Sequence, residues 1–129
     1  MKLLLSNITL TFADRPYNGD LLMGLYPGTK HACLIFRDLD GEPIAHLSVN
    51  ALASVSSALI AIKDWSENEG AAAQLEALRD QDGNPLFRRS LAVMPCGYVK
   101  APVFILLGRA LDAFEELLRE CPRSTSTPV

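Results

Sequence analysis

Two β-rich runs, His31 to Arg37 and Pro43 to Val49, flank the segment Asp38-Leu39-Asp40-Gly41-Glu42. Asp-Gly supplies the positive-φ residues of a tight hairpin turn, and no other stretch of the chain carries so clear a signal. It commits the middle of the chain to antiparallel pairing. Upstream, Asn7-Ile8-Thr9-Leu10-Thr11-Phe12 alternates strictly and puts Ile8, Leu10 and Phe12 on one face of a half-buried strand. Pro16, Asn18 and Gly19 are turn formers, so the spacing predicts a long loop over Asp14 to Asp20. A second apolar stretch follows from Leu21 to Tyr26 and ends at Pro27-Gly28.

Beyond Asn50 the residues Ala51 to Ser57 are small and weakly polar, and read either as a connecting segment or as a short helix. Ala58 to Lys63 is a short β-rich run. Ser66 followed by Glu69 has the form of a capping box, which predicts a helix from Ser66 to about Arg79, with Ala71, Leu75 and Leu78 on its apolar face. Asp82-Gly83-Asn84-Pro85 ends it. Leu86 to Val93 and Tyr98 to Leu106 read as two more strands joined by a turn at Met94-Pro95-Cys96-Gly97. Leu107, Leu111, Phe114 and Leu118 then recur at the spacing of one helix face, with Pro122 as the stop. The expected fold is α+β: a largely antiparallel sheet of about six strands with two helices packed on one face. Residues 1–121 form one domain in this reading, and 122–129 a flexible tail.

Charge excludes two classes of partner. The 129 residues carry a formal charge of −3, with five acids and four bases over 1–50, six and five over 51–100, and four and three over 101–129. Only Arg88-Arg89 is an adjacent basic pair, so nucleic-acid binding is not expected. The acidic excess is equally too weak for a mimic of DNA. No apolar run approaches the ~20 residues that span a bilayer. Met1 to Leu5 is followed by Ser6, Asn7 and Thr9, too soon for a signal peptide, and the chain reads as cytoplasmic. The cysteines, Cys33, Cys96 and Cys121, are odd in number and widely spaced, which fits reduced thiols. A nucleophilic cysteine would need His31 or His46 brought to it by the fold. The same two histidines with Cys33 are the only residues from which a zinc site could start. No nucleotide, dinucleotide, zincin or nucleophile-elbow motif occurs, and no cofactor, metal or catalytic residue is assigned.

Four stretches together resemble an uncharacterised family of small proteins encoded by phages, prophages and plasmids. They are Thr11-Phe12-Ala13-Asp14-Arg15-Pro16-Tyr17-Asn18-Gly19-Asp20-Leu21-Leu22-Met23-Gly24-Leu25, then Gly41 to Asn50, Ala61-Ile62-Lys63-Asp64-Trp65-Ser66-Glu67-Asn68-Glu69-Gly70, and Tyr98 to Val103. The third string is the specific one. The resemblance implies an accessory protein of a mobile element in a bacterial host, and brings no reaction or catalytic residues with it. Two places depart from the family pattern: the segment 51–57, and the helix at 107–121, which stands as an added terminus.

Two surfaces follow as candidate partner sites. The string around Asp64, Trp65, Glu67 and Asn68 would present an aromatic anchor among carboxylates, the composition of a binding hot spot. Its alternative role is structural, with Ser66 and Glu69 as a cap and the acids at the positive end of the helix dipole. The outer face of the terminal helix offers Asp112, Glu115, Glu116 and Arg119. The functional expectation is stoichiometric binding of a host or defence-system protein, in its sharpest form an anti-defence inhibitor such as an anti-CRISPR. The alternatives are a metal-assisted hydrolase or small-ligand enzyme using Asp64, Glu67 and Glu69, and a homo-oligomeric scaffold or homodimer paired through Leu107, Leu111, Phe114 and Leu118.

Overall fold

The computed structural model describes residues 1–50 and 58–121; the connection at 51–57 and the tail at 122–129 lie outside the described residues. The chain is α+β, and its described residues form eight antiparallel strands divided equally between two sheets, with two helices packed on them. The first sheet has the order β1 (Lys2–Phe12), β2 (Arg15–Leu25), β3 (Ala32–Asp38), β4 (Pro43–His46). The second has the order β5 (Ser48–Val49), β6 (Leu59–Ile62), β8 (Val99–Leu106), β7 (Phe87–Cys96). The expected single sheet divides at Leu47, whose N–H bonds the Leu34 carbonyl at 2.9 Å while its own carbonyl accepts from Lys63 at 2.9 Å. Leu47 is fully buried at that crossover.

The hairpin at 38–42 forms as its residues dictate. Gly41 adopts φ 90°, its N–H bonds the Asp38 carbonyl at 3.0 Å, and Asp38 Oδ1 accepts the N–H groups of Asp40 and Glu42, each at 2.9 Å. The β1–β2 connection differs from expectation. It is a two-residue turn, Ala13-Asp14, with φ 52° and 63°, and the pair Phe12–Arg15 closes it. Both central residues have positive φ, as a primed hairpin turn requires, so Pro16, Asn18 and Gly19 belong to β2 and not to a loop. Gly19 serves close strand approach: a Cβ there would stand 1.9 Å from the Arg37 carbonyl oxygen.

One apolar cluster joins both sheets and both helices. It includes Leu10, Phe12, Leu21, Met23, Leu34 and Phe36 from the first sheet and Ile60, Ile62, Phe87, Phe104 and Leu106 from the second. Helix α1 (Ala71–Ala77) adds Ala71, Ala72 and Leu75, and α2 (Gly108–Glu120) adds Ala110, Ala113 and Phe114. Helix α2 packs on β1 and β2, and α1 on β1 and β7. No described helix is long and apolar enough to cross a membrane.

Candidate functional site

The segment 63–70 folds differently from the expected capped helix. Ser66–Asn68 is a single 3-10 turn, Trp65 before it is extended, and no side chain caps that turn. The α-helix begins only at Ala71, because Gly70 adopts φ 93° and breaks the two elements apart. The group that satisfies the helix start is Asp64: its Oδ1 accepts the Gly70 N–H at 2.8 Å and the Ala72 N–H at 3.2 Å. Ser66 and Glu69 are exposed and form no capping box. The physical reason lies at Ser66, which adopts φ 55° inside the 3-10 turn instead of the extended conformation of a helix N-cap, and the Glu69 N–H closes that turn on the Ser66 carbonyl at 3.1 Å.

The four residues of the string therefore separate. Trp65 is half-buried. Glu67 is exposed and paired with Lys63 at 2.5 Å, a hydrogen bond that holds its carboxyl below the ordinary range. Asn68 is buried, and its Nδ2 donates to the His46 carbonyl at 2.7 Å. Glu67 and Asn68 do share the wall of an open cavity of about 450 Å³, with Phe12, Tyr17, Asp38 and Ile44 among the other lining residues. Asp38 Oδ1 and Asn68 Nδ2 are taken up by backbone partners, and Phe12, Tyr17 and Ile44 give the cavity apolar walls.

The outer face of α2 divides in the same way. Asp112, Glu115 and Arg119 are exposed. Glu116 instead ties the helix to β1: it pairs with Arg109 at 3.4 Å and with Lys2 at 3.9 Å. The Arg109 guanidinium also donates to the Leu3 carbonyl at 3.0 and 3.2 Å, where β1 is bulged. On the inner face Phe114 is buried and Leu107 and Leu111 half-buried, while Leu118 is 36% exposed.

The most exposed apolar surface among the described residues lies on the β7–β8 hairpin, whose turn falls later than the expected Met94-Pro95-Cys96-Gly97. Strand β7 continues through Met94 and Pro95 to Cys96, and the reversal is Gly97-Tyr98, with Cys96 paired to Val99. The pairing shifts between Arg89–Phe104 and Val93–Pro102, so Ser90, Leu91 and Ala92 face Val103 alone. Ser90 Oγ donates to the Val103 carbonyl at 2.6 Å and accepts the Ala92 N–H at 3.1 Å, replacing ladder bonds lost in the bulge. The bulge turns Leu91 outward. Leu91 and Tyr98 are fully exposed and Val93 is 50% exposed. Strand β6 pairs with β8 only over Val103–Ile105, so the outer half of this hairpin is a two-stranded ribbon among the described residues. From Ser90 to Pro102 its one charged residue is Lys100. The signal available in the sequence was the run Leu91-Ala92-Val93-Met94-Pro95-Cys96, apolar without the alternation of a half-buried strand.

The fold also brings His46 to Cys33. Cys33 Sγ and His46 Nε2 are 3.3 Å apart, and Tyr26 Oη lies 3.2 Å from the same nitrogen. Burial pushes the Cys33 thiol up, and pushes Tyr26 up to about 12 against a smaller lowering by its Ser48 hydrogen bond. His31 is buried and precedes β3. Among the described residues no three His, Cys, Asp or Glu side chains stand together as a metal-binding group. Comparison with protein-family models, curated proteins and solved structures gave no match.

Proposed function

We propose that this chain is an accessory protein of a mobile element that acts by stoichiometric protein binding, with the outer β7–β8 ribbon as its contact surface. The observation that carries the binding part is the exposure of Leu91, Val93 and Tyr98 on a ribbon with one charge in thirteen residues. Apolar patches rimmed by polar surface mark interaction sites, and an exposed tyrosine is a frequent anchor at their centre. The mobile-element context comes from the resemblance of residues 11–25, 41–50, 61–70 and 98–103. Inhibition of a host defence protein, in the manner of an anti-CRISPR, is the sharpest form of the proposal. Such an inhibitor needs surface area and no catalytic constellation.

The hydrolase alternative would draw on an Asp64 carboxylate one of whose oxygens already accepts the Gly70 and Ala72 N–H groups. The test is affinity capture from a bacterial lysate with intact defence systems, read by mass spectrometry. A partner retained by the wild type and by Trp65→Ala, and lost from a folded Leu91→Ser/Tyr98→Ser variant, fits the proposal. Retention by the ribbon variant would place the contact elsewhere.

A further inference from the structure

Four side chains from four segments meet where the chain crosses between the sheets. Tyr26 follows β2, Cys33 stands on β3, His46 closes β4 and Ser48 opens β5. His46 Nε2 has Cys33 Sγ at 3.3 Å and Tyr26 Oη at 3.2 Å, and Tyr26 Oη lies 2.8 Å from Ser48 Oγ. Ser48 Oγ also accepts the Leu34 N–H at 2.9 Å, which fixes it in place. The His46 ring stacks on Tyr26 with an interplanar angle of 5°.

An imidazole nitrogen offers one lone pair or one proton, so Nε2 bonds either the thiol or the phenol, and the phenol also has Ser48 Oγ at 2.8 Å. A cation between the three atoms instead takes a lone pair from each, and engages the thiol, the imidazole and the phenol at once. With Zn–S near 2.3 Å and Zn–N and Zn–O near 2.0–2.1 Å, a tetrahedral ion sets S···N at about 3.6 Å and N···O at about 3.3 Å. The observed 3.3 and 3.2 Å lie within a few tenths of an ångström of those separations. We propose that Cys33 Sγ, His46 Nε2 and Tyr26 Oη form a binding site for a thiophilic divalent cation, Zn²⁺, with water completing the coordination.

His46 is exposed while Cys33 and Ser48 are buried, so the ion enters from the imidazole side. As the Zn–S bond forms, the thiol proton passes to solvent, and the remaining charge at the site is +1. Sulfur and imidazole nitrogen select against Mg²⁺ and Ca²⁺, which require oxygen ligands. With two strong ligands and one neutral oxygen, the site holds an exchangeable ion, in contrast to a closed four-ligand structural zinc. The inference is independent of the ribbon.

The test titrates the metal-free protein with Co²⁺ as a spectroscopic stand-in, followed by Zn²⁺ competition. One cobalt per chain is expected, with a sulfur-to-cobalt charge-transfer band that Zn²⁺ abolishes. Cys33→Ser removes the band, His46→Gln weakens binding roughly tenfold or more, and Tyr26→Phe weakens it several-fold while keeping the band. In the wild type, Zn²⁺ protects Cys33 from iodoacetamide, over a labelling time that modifies it in the metal-free chain, and leaves Cys96 and Cys121 unchanged. That mapping needs no variant, so a substitution that unfolds the chain does not spoil the test. Absence of the band in folded wild type, equal protection by Mg²⁺, or protection mapping to Cys96 or Cys121 overturns the proposal.

Discussion

Replacing Asp64 by alanine removes the acceptor that begins α1. The carboxylate takes two N–H groups, from Gly70 at 2.8 Å and Ala72 at 3.2 Å, and Ala72 is fully buried. Water recovers the exposed Gly70 N–H but has poor access to that of Ala72. Loss of a capping side chain costs about 0.5–2 kcal/mol, and a hydrogen bond to a charged acceptor contributes about 1.5–3. For Asp64→Ala we therefore expect a loss of about 2 kcal/mol. With a urea m-value of about 2 kcal/mol/M for a chain of this size, the midpoint falls by about 1 M. Asp64→Asn keeps a carbonyl acceptor and should recover about half the loss. Ser66→Ala, at the residue the capping-box pattern favours, should stay within about 0.5 kcal/mol of wild type. Urea unfolding followed by circular dichroism and tryptophan fluorescence reads all three. A Ser66→Ala loss equal to that of Asp64→Ala would refute the assignment of the cap.

Three further outcomes follow from packing and charge. Gly19→Ala drives a Cβ to 1.9 Å from a backbone oxygen, and should destabilise by about 3 kcal/mol or more or prevent folding, whereas Gly24→Ala meets only the flexible end of Met1 at 3.0 Å and should cost less than about 1 kcal/mol. Paired thermal melts separate the two. Phe114→Ala should cost about 3–5 kcal/mol without changing the sedimentation coefficient of the folded fraction, because that ring lies in the chain's own core. A loss of mass on sedimentation would favour the scaffold reading. Tyr26 has an ordinary value of 10.0 and is raised by burial to about 12, so the folded state holds the extra proton between those values. Stability is therefore complete below pH 10 and declines as pH rises towards 12, and Tyr26→Phe should flatten that part of a pH–stability curve.

The sequence was most legible where local chemistry and tertiary demand agree. Asp40-Gly41 sets its own turn, and the alternation of Ile8, Leu10 and Phe12 reads out the buried face of β1 directly. The amphipathic periodicity of α2 was legible too, but its buried face is turned from the expected stripe: Ala110, Ala113 and Phe114 are buried, Leu107 and Leu111 half-buried and Leu118 exposed. Ala13-Asp14 was hidden because it lacks the glycine or asparagine that marks a primed turn, while Pro16, Asn18 and Gly19 look like loop residues and lie in a strand. Pro95 misled in the same way: proline is tolerated on β7 because β7 is an edge strand. Of the candidate site, Glu67 and Asn68 line one cavity, while Asp64 holds the start of α1 and Glu116 pairs with Arg109 and Lys2. Those partners lie on other elements or across a chain reversal, and spacing alone carries no record of them. The meeting of Cys33 with His46 depends on the register Ile35–His46, which a hairpin turn sets and a pattern of residue types does not.

The central claim is that the β7–β8 ribbon makes a stoichiometric contact with another protein. It is tested most directly by light scattering on the purified captured complex. A fixed subunit ratio is predicted for the wild type and for Asp112→Lys/Glu115→Lys, with free components for a folded Leu91→Ser/Tyr98→Ser variant. Co-elution of the ribbon variant at the wild-type ratio, or a partner bound far below stoichiometry, would contradict the account.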